Sequence, residues 1–305
     1  MSDLTLDYIQ TILDEGSISQ AAKRLFIAQP SLSQYIKRIE KEFGAEILDR
    51  NSKTIKLTAA GEVYLETELQ IRQLRRKRVD QINDLLELNQ GRLTIGSSHY
   101  RSTYLLTRVL PIFKERYPNI QIQLEEGITE SLEEYADNGV TDFSIVLLPL
   151  RYKELVYEEL FQEKIVLALP ANHPICSNAN AMQKKDSDLY PAIDFNLLKD
   201  ESFIVMKKGQ KLRNSFFDLC QLAGFQPNII LQTNSMITAQ ALTSVGIGTT
   251  ILPDVLAEDE RFSKTIRYFS SLQFIAPRRV VAVYSKHKPL SKAATKFLEI
   301  LKESL

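Results

Sequence analysis

QPSLSQYIKRIEKEFG, residues 29–44, places a proline, two serines and a glutamine at the head of a segment whose apolar residues keep to one side. Leu32, Ile36, Ile39 and Phe43 recur at i, i+4, i+7 and i+11, which at about 3.6 residues per turn is a single inward stripe. Pro30 suits a first turn, where its missing N–H has no partner to lose, and Gly44 can take the left-handed conformation that stops a helix. The spacing predicts a helix over 30–43. Pro30, Gln34, Lys37 and Lys41 then fall opposite the stripe, flanked by Ser31, Ser33 and Arg38, so the outer face offers short donors and positive charge.

Immediately upstream, SISQAAKRL sets Ser17 and Gln20 at the S-x-x-Q spacing of a capping box, with Ala21, Ala22 and Leu25 on its inner side. Two alanines let another helix approach closely. A short connection, 26–29, leads to the next helix, the arrangement of a helix-turn-helix. Ahead of it, LTLDYIQTILDEG carries Leu6, Ile9 and Leu13 at helical spacing and ends on Gly16, so a third helix completes a small core. A generic helical bundle is the competing reading. From Gly16 to Ile39 stand Lys23, Arg24, Lys37 and Arg38 and no acid, whereas residues 1–57 as a whole carry 8 basic and 8 acidic side chains. Nucleic-acid binding must therefore come from one focused face. The following ILDRNSKTIKLT holds two short β-prone runs around Asn51-Ser52, made positive by Arg50, Lys53 and Lys56. It reads as a hairpin wing along the minor groove or phosphates, or as a solvated basic hairpin.

AAKRL, QPSLSQ, the IKRIEKEFG run and LTAAGE stand together at the spacing of the LysR-type transcriptional regulators, and the chain resembles that family from end to end. Leu48-Asp49 departs from the aromatic and glutamate usual there, without disturbing the pattern. The resemblance implies an α+β multidomain chain: a winged helix-turn-helix over 1–58, a linker helix over 59–90 that pairs with another subunit's, and an effector-binding domain over 91–305. It implies that 29–38 enters the major groove, with Ser19, Gln29, Pro30, Ser31, Ser33, Gln34, Lys37, Arg38, Arg50 and Lys53 facing double-stranded DNA. On physical grounds Gln34 suits an adenine edge, Lys37 and Arg38 a guanine edge or phosphates, and the serines the backbone. One recognition helix reads too few base pairs to be selective, so a homodimer or homotetramer on an interrupted inverted repeat is expected, with RNA polymerase as a further partner.

From Ala59 to Asn89 there is no proline and only one glycine, Gly61, a helix of about 45 Å at about 1.5 Å per residue. RRKR at 75–78 breaks its heptad, so a mixed interface is expected rather than a strict coiled coil. After Asn89-Gln90-Gly91 the texture changes. GRLTIGSS, NIQIQLEEG and DFSIVLL read as strands, STYLLTRVLPIFKERYP and TESLEEYADNG as helices. EKIVLALP, ESFIVMKK, NIILQT and GTTILP continue as strands around the helices QKLRNSFFDLCQLAG and SMITAQALTSVG, before RRVVAVYSK and a final helix SKAATKFLEILKES. Such alternation argues a parallel α/β sheet. The family resemblance implies two periplasmic-binding-protein-like subdomains, 91–162 with 268–305 and 163–267.

Ligands of open α/β sheets sit beyond the carboxyl ends of strands. SSHYRST, residues 97–103, combines hydroxyls, a helix start and Arg101, a setting for a small carboxylate or other oxyanion; capping alone is the other reading of Ser97 and Ser98. By resemblance Ser98, Tyr100 and Arg101 form the first effector segment, Thr129 the second, 206–208 with Lys207 the third, and 233–235 with Thr233 and Asn234 the fourth. GIGTTILP at 246–253 is a turn rather than a dinucleotide fingerprint, because Ile251 stands where a third small residue would be.

The 305 residues, 44% of them hydrophobic, give enough core for two or three domains, and the formal net charge of zero argues against unspecific polyanion binding. No apolar run approaches a membrane span, and the amino terminus carries the first helix in place of a signal peptide, so a cytoplasmic protein is expected. His99, His173 and His287 lack metal-ligand spacing, and no nucleophile elbow or phosphate loop is present, so neither enzyme chemistry, metal nor cofactor is expected beyond the small-molecule effector. Cys176 and Cys220 are not in a CxxC motif, and Cys220 lies in the apolar run FFDLCQLAG, which reads as core rather than as a redox switch. The remaining alternative is a ligand-sensing protein whose helical head makes protein contacts.

Overall fold

A computed structural model describes residues 4–50, 54–85, 91–178, 182–183, 189–273 and 275–305. Lys53, the Asn51-Ser52 turn and linker residues 86–90 lie outside the described residues. The chain divides into two units, Met1–Ile82 and Asn83–Leu305.

In the first unit α1 (Leu4–Glu15), α2 (Ile18–Arg24) and α3 (Gln29–Phe43) enclose a core of Ile9, Ile12, Ala21, Ala22, Leu32, Ile36 and Ile39. Gly44 ends α3 at φ 67°, the left-handed value its missing Cβ permits. Two expectations fail locally. Ser17 is the first residue before α2, but its hydroxyl makes no capping bond, so the S-x-x-Q spacing is not a capping box here. Phe43, taken for the core stripe, is 58% exposed because the last turn of α3 runs past the packed helices, and its ring meets Tyr64 edge-on instead. β1 (Leu48–Asp49) and β2 (Lys56–Leu57) pair antiparallel, and α4 (Ala59–Leu85) follows. The Glu40 carboxylate of α3 ties the strands down by accepting from the Ile47 N–H at 3.1 Å and from Arg50 Nη2 at 2.7 Å. Thr58 Oγ1 accepts the Gly61 N–H at 3.0 Å and so caps α4.

In the second unit β3 (Gly91–Ser97) runs into α5 (His99–Arg101), a π turn (Ser102–Leu106) and α6 (Thr107–Arg116), so the single expected helix is broken by one widened turn. β4 (Ile120–Glu126), α7 (Thr129–Asp137), β5 (Phe143–Leu147) and β6 (Leu155–Glu163) follow. Then come β7 (Ile165–Pro170), β8 (Ala192–Ile193), β9 (Ser202–Met206), α8 (Lys211–Ala223), β10 (Asn228–Thr233), α9 (Met236–Ser244) and β11 (Thr250–Pro253). β12 (Ile266–Ser271), β13 (Arg278–Ser285) and α10 (Lys292–Glu303) close the chain.

One subdomain is a five-stranded sheet in the order β4-β3-β5-β13-β6, with β3 parallel to β4 and β5, and β13 antiparallel to β5 and β6. Helices cover both faces, which is why β5 is buried along its whole length. The other holds the sheet β11-β7-β12-β8 and the parallel pair β9-β10, around a phenylalanine cluster of Phe195, Phe203 and Phe216. β6, β8 and β12 were not expected from alternation, because burial is irregular along β6 and β12 and β8 has only two residues. The expected return to the first subdomain at 268 is corrected by pairing: β12 lies antiparallel to β7, Ile266 opposite Pro170, so the chain recrosses between Ser271 and Arg278. The outward crossing falls at Lys164, between β6 and β7.

Candidate functional site

The outward face of α3 carries Gln29, Pro30, Ser31, Gln34, Lys37 and Arg38, all exposed, with Ser33 half-buried beside them and Ser19 exposed on α2. It is the buried stripe of Leu32, Ile36 and Ile39 that turns these groups outward, since positions about 180° away around a helix cannot share its core. Arg38 stacks on Tyr35 with its guanidinium carbon 4.8 Å from the ring centroid, which steadies a long cation on the surface. Arg50 follows β1, where its ion pair to Glu40 offsets the charge that the sequence assigned to phosphate.

In the second unit β3, β4, β9 and β10 all end toward one cleft, each just ahead of a helix start. The cavity there has a volume of about 390 Å³. Ser98, Tyr100 and Arg101 line it from behind β3, Thr129 from the start of α7, and Asn234 from the start of α9. Lys208, Gln210 and Lys211 line it from the start of α8, and Arg278 from β13. Four cationic side chains therefore face the cavity and, among the described residues, no carboxylate lines it. Converging helix N-termini add partial positive charge.

Not every expected residue is there. Ser97 is fully buried at the end of β3 and does not line the cavity; Lys207 and Thr233 also stay off its wall. The Lys207 N–H bonds the Thr233 carbonyl at 3.0 Å, and the Thr233 hydroxyl accepts the Ser235 N–H at 3.1 Å, so these two build the loop rather than the surface. Ser98 makes no capping bond and accepts weakly from Arg101 Nη1 at 3.4 Å.

Tyr100 and Arg101 are committed to the protein itself. Both are buried, and both bond Glu163 at the end of β6: the Tyr100 hydroxyl donates to Oε2 at 2.8 Å, and Arg101 Nη2 lies 3.2 Å from each carboxylate oxygen. Arg278 places Nη2 2.5 Å from Oε1 of the same carboxylate. Burial alone would raise the Glu163 carboxyl, but the Arg101 and Arg278 guanidinium groups outweigh it and hold it below its usual range. Burial drives the Tyr100 phenol far above its usual range, so it stays a donor. Arg101, expected to offer a free positive charge to an anion, thus shares one carboxylate with Arg278.

Lys211, at the head of α8, donates to the carbonyls of Leu147 and, at 2.7 Å, Pro149 in the opposite subdomain, and stands 4.0 Å from the buried Glu133 carboxylate. Burial lowers its ammonium below the usual value against the pull of Glu133, and Arg151, Arg101 and Arg278 lower it further. Lys211 and Arg278 were missed from sequence. The signal for Lys211 was its place three residues after the third segment; for Arg278 it was an arginine pair at the head of an apolar strand, which reads as surface. Nothing in the local sequence marks Glu163. Burial pushes the Cys220 thiol up to about 12 and the Cys176 thiol up as well, so neither is an activated thiolate.

Residues 5–62 match the model of the bacterial regulatory helix-turn-helix protein, lysR family, and residues 86–305 match that of the LysR substrate binding domain. The chain belongs to the LysR family of transcriptional regulators. It is 31% identical over 309 residues to the uncharacterized HTH-type transcriptional regulator YcgK of Bacillus subtilis (strain 168), covering 98% of this chain and 94% of that one. Its fold matches full-length CbnR complexed with its target DNA at a TM-score of 0.64 and 20% identity, over the whole of both chains. The Synechocystis PCC6803 CcmR regulatory domain in complex with 2-PG matches at a TM-score of 0.61 and 22% identity, over 70% of this chain and 97% of that domain. The family assignment makes this a DNA-binding regulator with an effector-binding domain. No helix among the described residues is long and apolar enough to cross a membrane, and no cluster of three or more metal-ligating side chains is found among them.

Proposed function

We propose that this regulator reads an interrupted inverted repeat through α3 and is controlled by a small anionic, carboxylate-like effector bound between its two C-terminal subdomains. Gln34, Lys37 and Arg38 meet base edges or phosphates, the serines at 31 and 33 meet the backbone, and Ser19, Gln29 and Pro30 complete the contact. Pairing of α4 between copies supplies the two-fold symmetry that the repeat requires. The effector shifts the balance between cleft conformations and thereby the DNA bend or the choice of half-sites. The protein acts with RNA polymerase in the cytoplasm and is not an enzyme.

The observation that carries the effector half of this reading is the cleft wall: four cationic side chains, no carboxylate among the described residues, and four helix starts around one cavity. The DNA half rests on the exposed polar and cationic face of α3. In a mobility-shift titration on the chain's own upstream DNA, Gln34→Ala combined with Arg38→Ala weakens binding by at least about tenfold, since each good base contact carries roughly 1–3 kcal/mol. Binding as tight and as selective as the parent's would overturn it.

A further inference from the structure

Glu163 and Arg278 lie opposite each other in the β6-β13 ladder, at the two points where the chain leaves the first subdomain and returns to it. Among the described residues, Glu163 is the single carboxylate in contact with two buried guanidinium groups, Arg101 and Arg278. One positive charge is therefore left over at the hinge. It is not spread evenly. Arg101 is the better paired: it bonds both oxygens of Glu163 and lies over the Tyr100 ring at 4.7 Å, which leaves its Nε without a hydrogen-bond partner among the described residues. Arg278, whose side chain is 9% exposed, touches Glu163 through Nη2 alone, as an ion pair without hydrogen-bond geometry, and its Nε, Nη1 and Nη2 are all buried without any hydrogen-bond partner among the described residues. Arg278 also lines the cavity.

We propose that Arg278 is the residue that holds the effector, by giving its unpaired guanidinium N–H groups to an oxyanion of the effector while Nη2 stays against Glu163. The inference rests on the reading of the cleft as an anion site and deepens it, by naming the residue and the minimum chemistry of the ligand: one charged carboxylate or phosphoryl group, which a neutral amide or alcohol cannot replace. A buried guanidinium with idle donors gains charge-assisted bonds and loses an uncompensated charge in the same step. Because Arg278 begins β13 and faces the last residue of β6, occupancy acts directly on the two crossover strands.

The test follows thermal unfolding of the full chain with inorganic phosphate or acetate against chloride at equal ionic strength. Phosphate and acetate separate a phosphoryl from a carboxylate ligand. One or both raise the parent's Tm by mass action. Arg278→Gln needs at least about tenfold more anion for the same rise, the loss of one or more charge-assisted bonds, and Arg278→Lys falls between the two. Without added anion, Arg278→Gln melts within about 2 °C of the parent or above it, since Arg101 still neutralises Glu163. An undiminished anion response in Arg278→Gln overturns the assignment of this residue and leaves the anionic cleft standing. Melting of ligand-free Arg278→Gln far below the parent makes Arg278 a structural counter-ion and also overturns it. If neither anion moves the parent, this assignment and the anionic reading fail together.

Discussion

Replacing Glu163 by Gln removes one negative charge and almost no volume, so its effect isolates electrostatics from packing. In the folded chain the Glu163 side chain is 1% exposed, and the two guanidinium groups it touches are 4% and 9% exposed. Neither arginine can turn to water. The amide keeps one acceptor for Tyr100 or Arg101, but its NH2 group presents donors to donors. Breaking a buried pair by removing one partner costs about 3–5 kcal/mol. In a domain of this size each kcal/mol moves Tm by about 2–4 °C, so the effector unit should lose about 6–20 °C. Scanning calorimetry of the full chain reports this as a fall in the effector unit's transition, with the transition of the DNA-binding unit unmoved. Acid titration supplies a second readout. The carboxyl of Glu163 is held below its ordinary 4.5 in the folded chain, so its stabilisation is complete above that pH and is lost as pH falls through the lower, folded value. The acid limb of the parent's Tm against pH should flatten in Glu163→Gln. A drop under about 2 °C at neutral pH, with an unchanged acid limb, would refute the reasoning that two arginines depend on this carboxylate.

Gly61→Ala is expected to destabilise the DNA-binding unit by at least about 1–3 kcal/mol, because a Cβ there would stand 2.1 Å from the Ile47 carbonyl oxygen, where backbone must move. Its calorimetric transition and its DNA affinity should fall together, and a stable variant would show that α4 can shift away from β1 freely. Cys220 should react with a thiol reagent only as fast as the effector unit unfolds, with Cys176 faster, and hydrogen peroxide should leave DNA affinity unchanged. A peroxide-induced disulfide accompanied by altered binding would sink that expectation.

The DNA-binding face was readable from the sequence because it is local. Leu32, Ile36 and Ile39 lie within two turns, and their burial alone dictates where Gln34, Lys37 and Arg38 point. Gly44 and Pro30 mark the ends for reasons internal to the backbone. LTAAGE was recognisable as a motif, but the reason for its glycine, the approach of the Ile47 carbonyl, came from packing. In the effector unit alternation located the buried strands, and it failed for β6 and β12, where exposure is irregular along the strand.

What the sequence determined by itself is the set of segments with a period: the three short helices, the long α4, most strands, and the position of helix starts where a ligand could meet N–H groups. Those follow from spacing between neighbours in the chain. Tertiary structure alone decided the charges of the cleft. Arg101 looked available until Glu163 neutralised it from the far end of β6, Arg278 was only the first residue of the strand RRVVAVYSK until the fold set it opposite that carboxylate, and Lys211 reached the cleft by bonding carbonyls of the other subdomain. A charge has its meaning from what lies within a few ångströms, and for these three that company comes from distant parts of the chain.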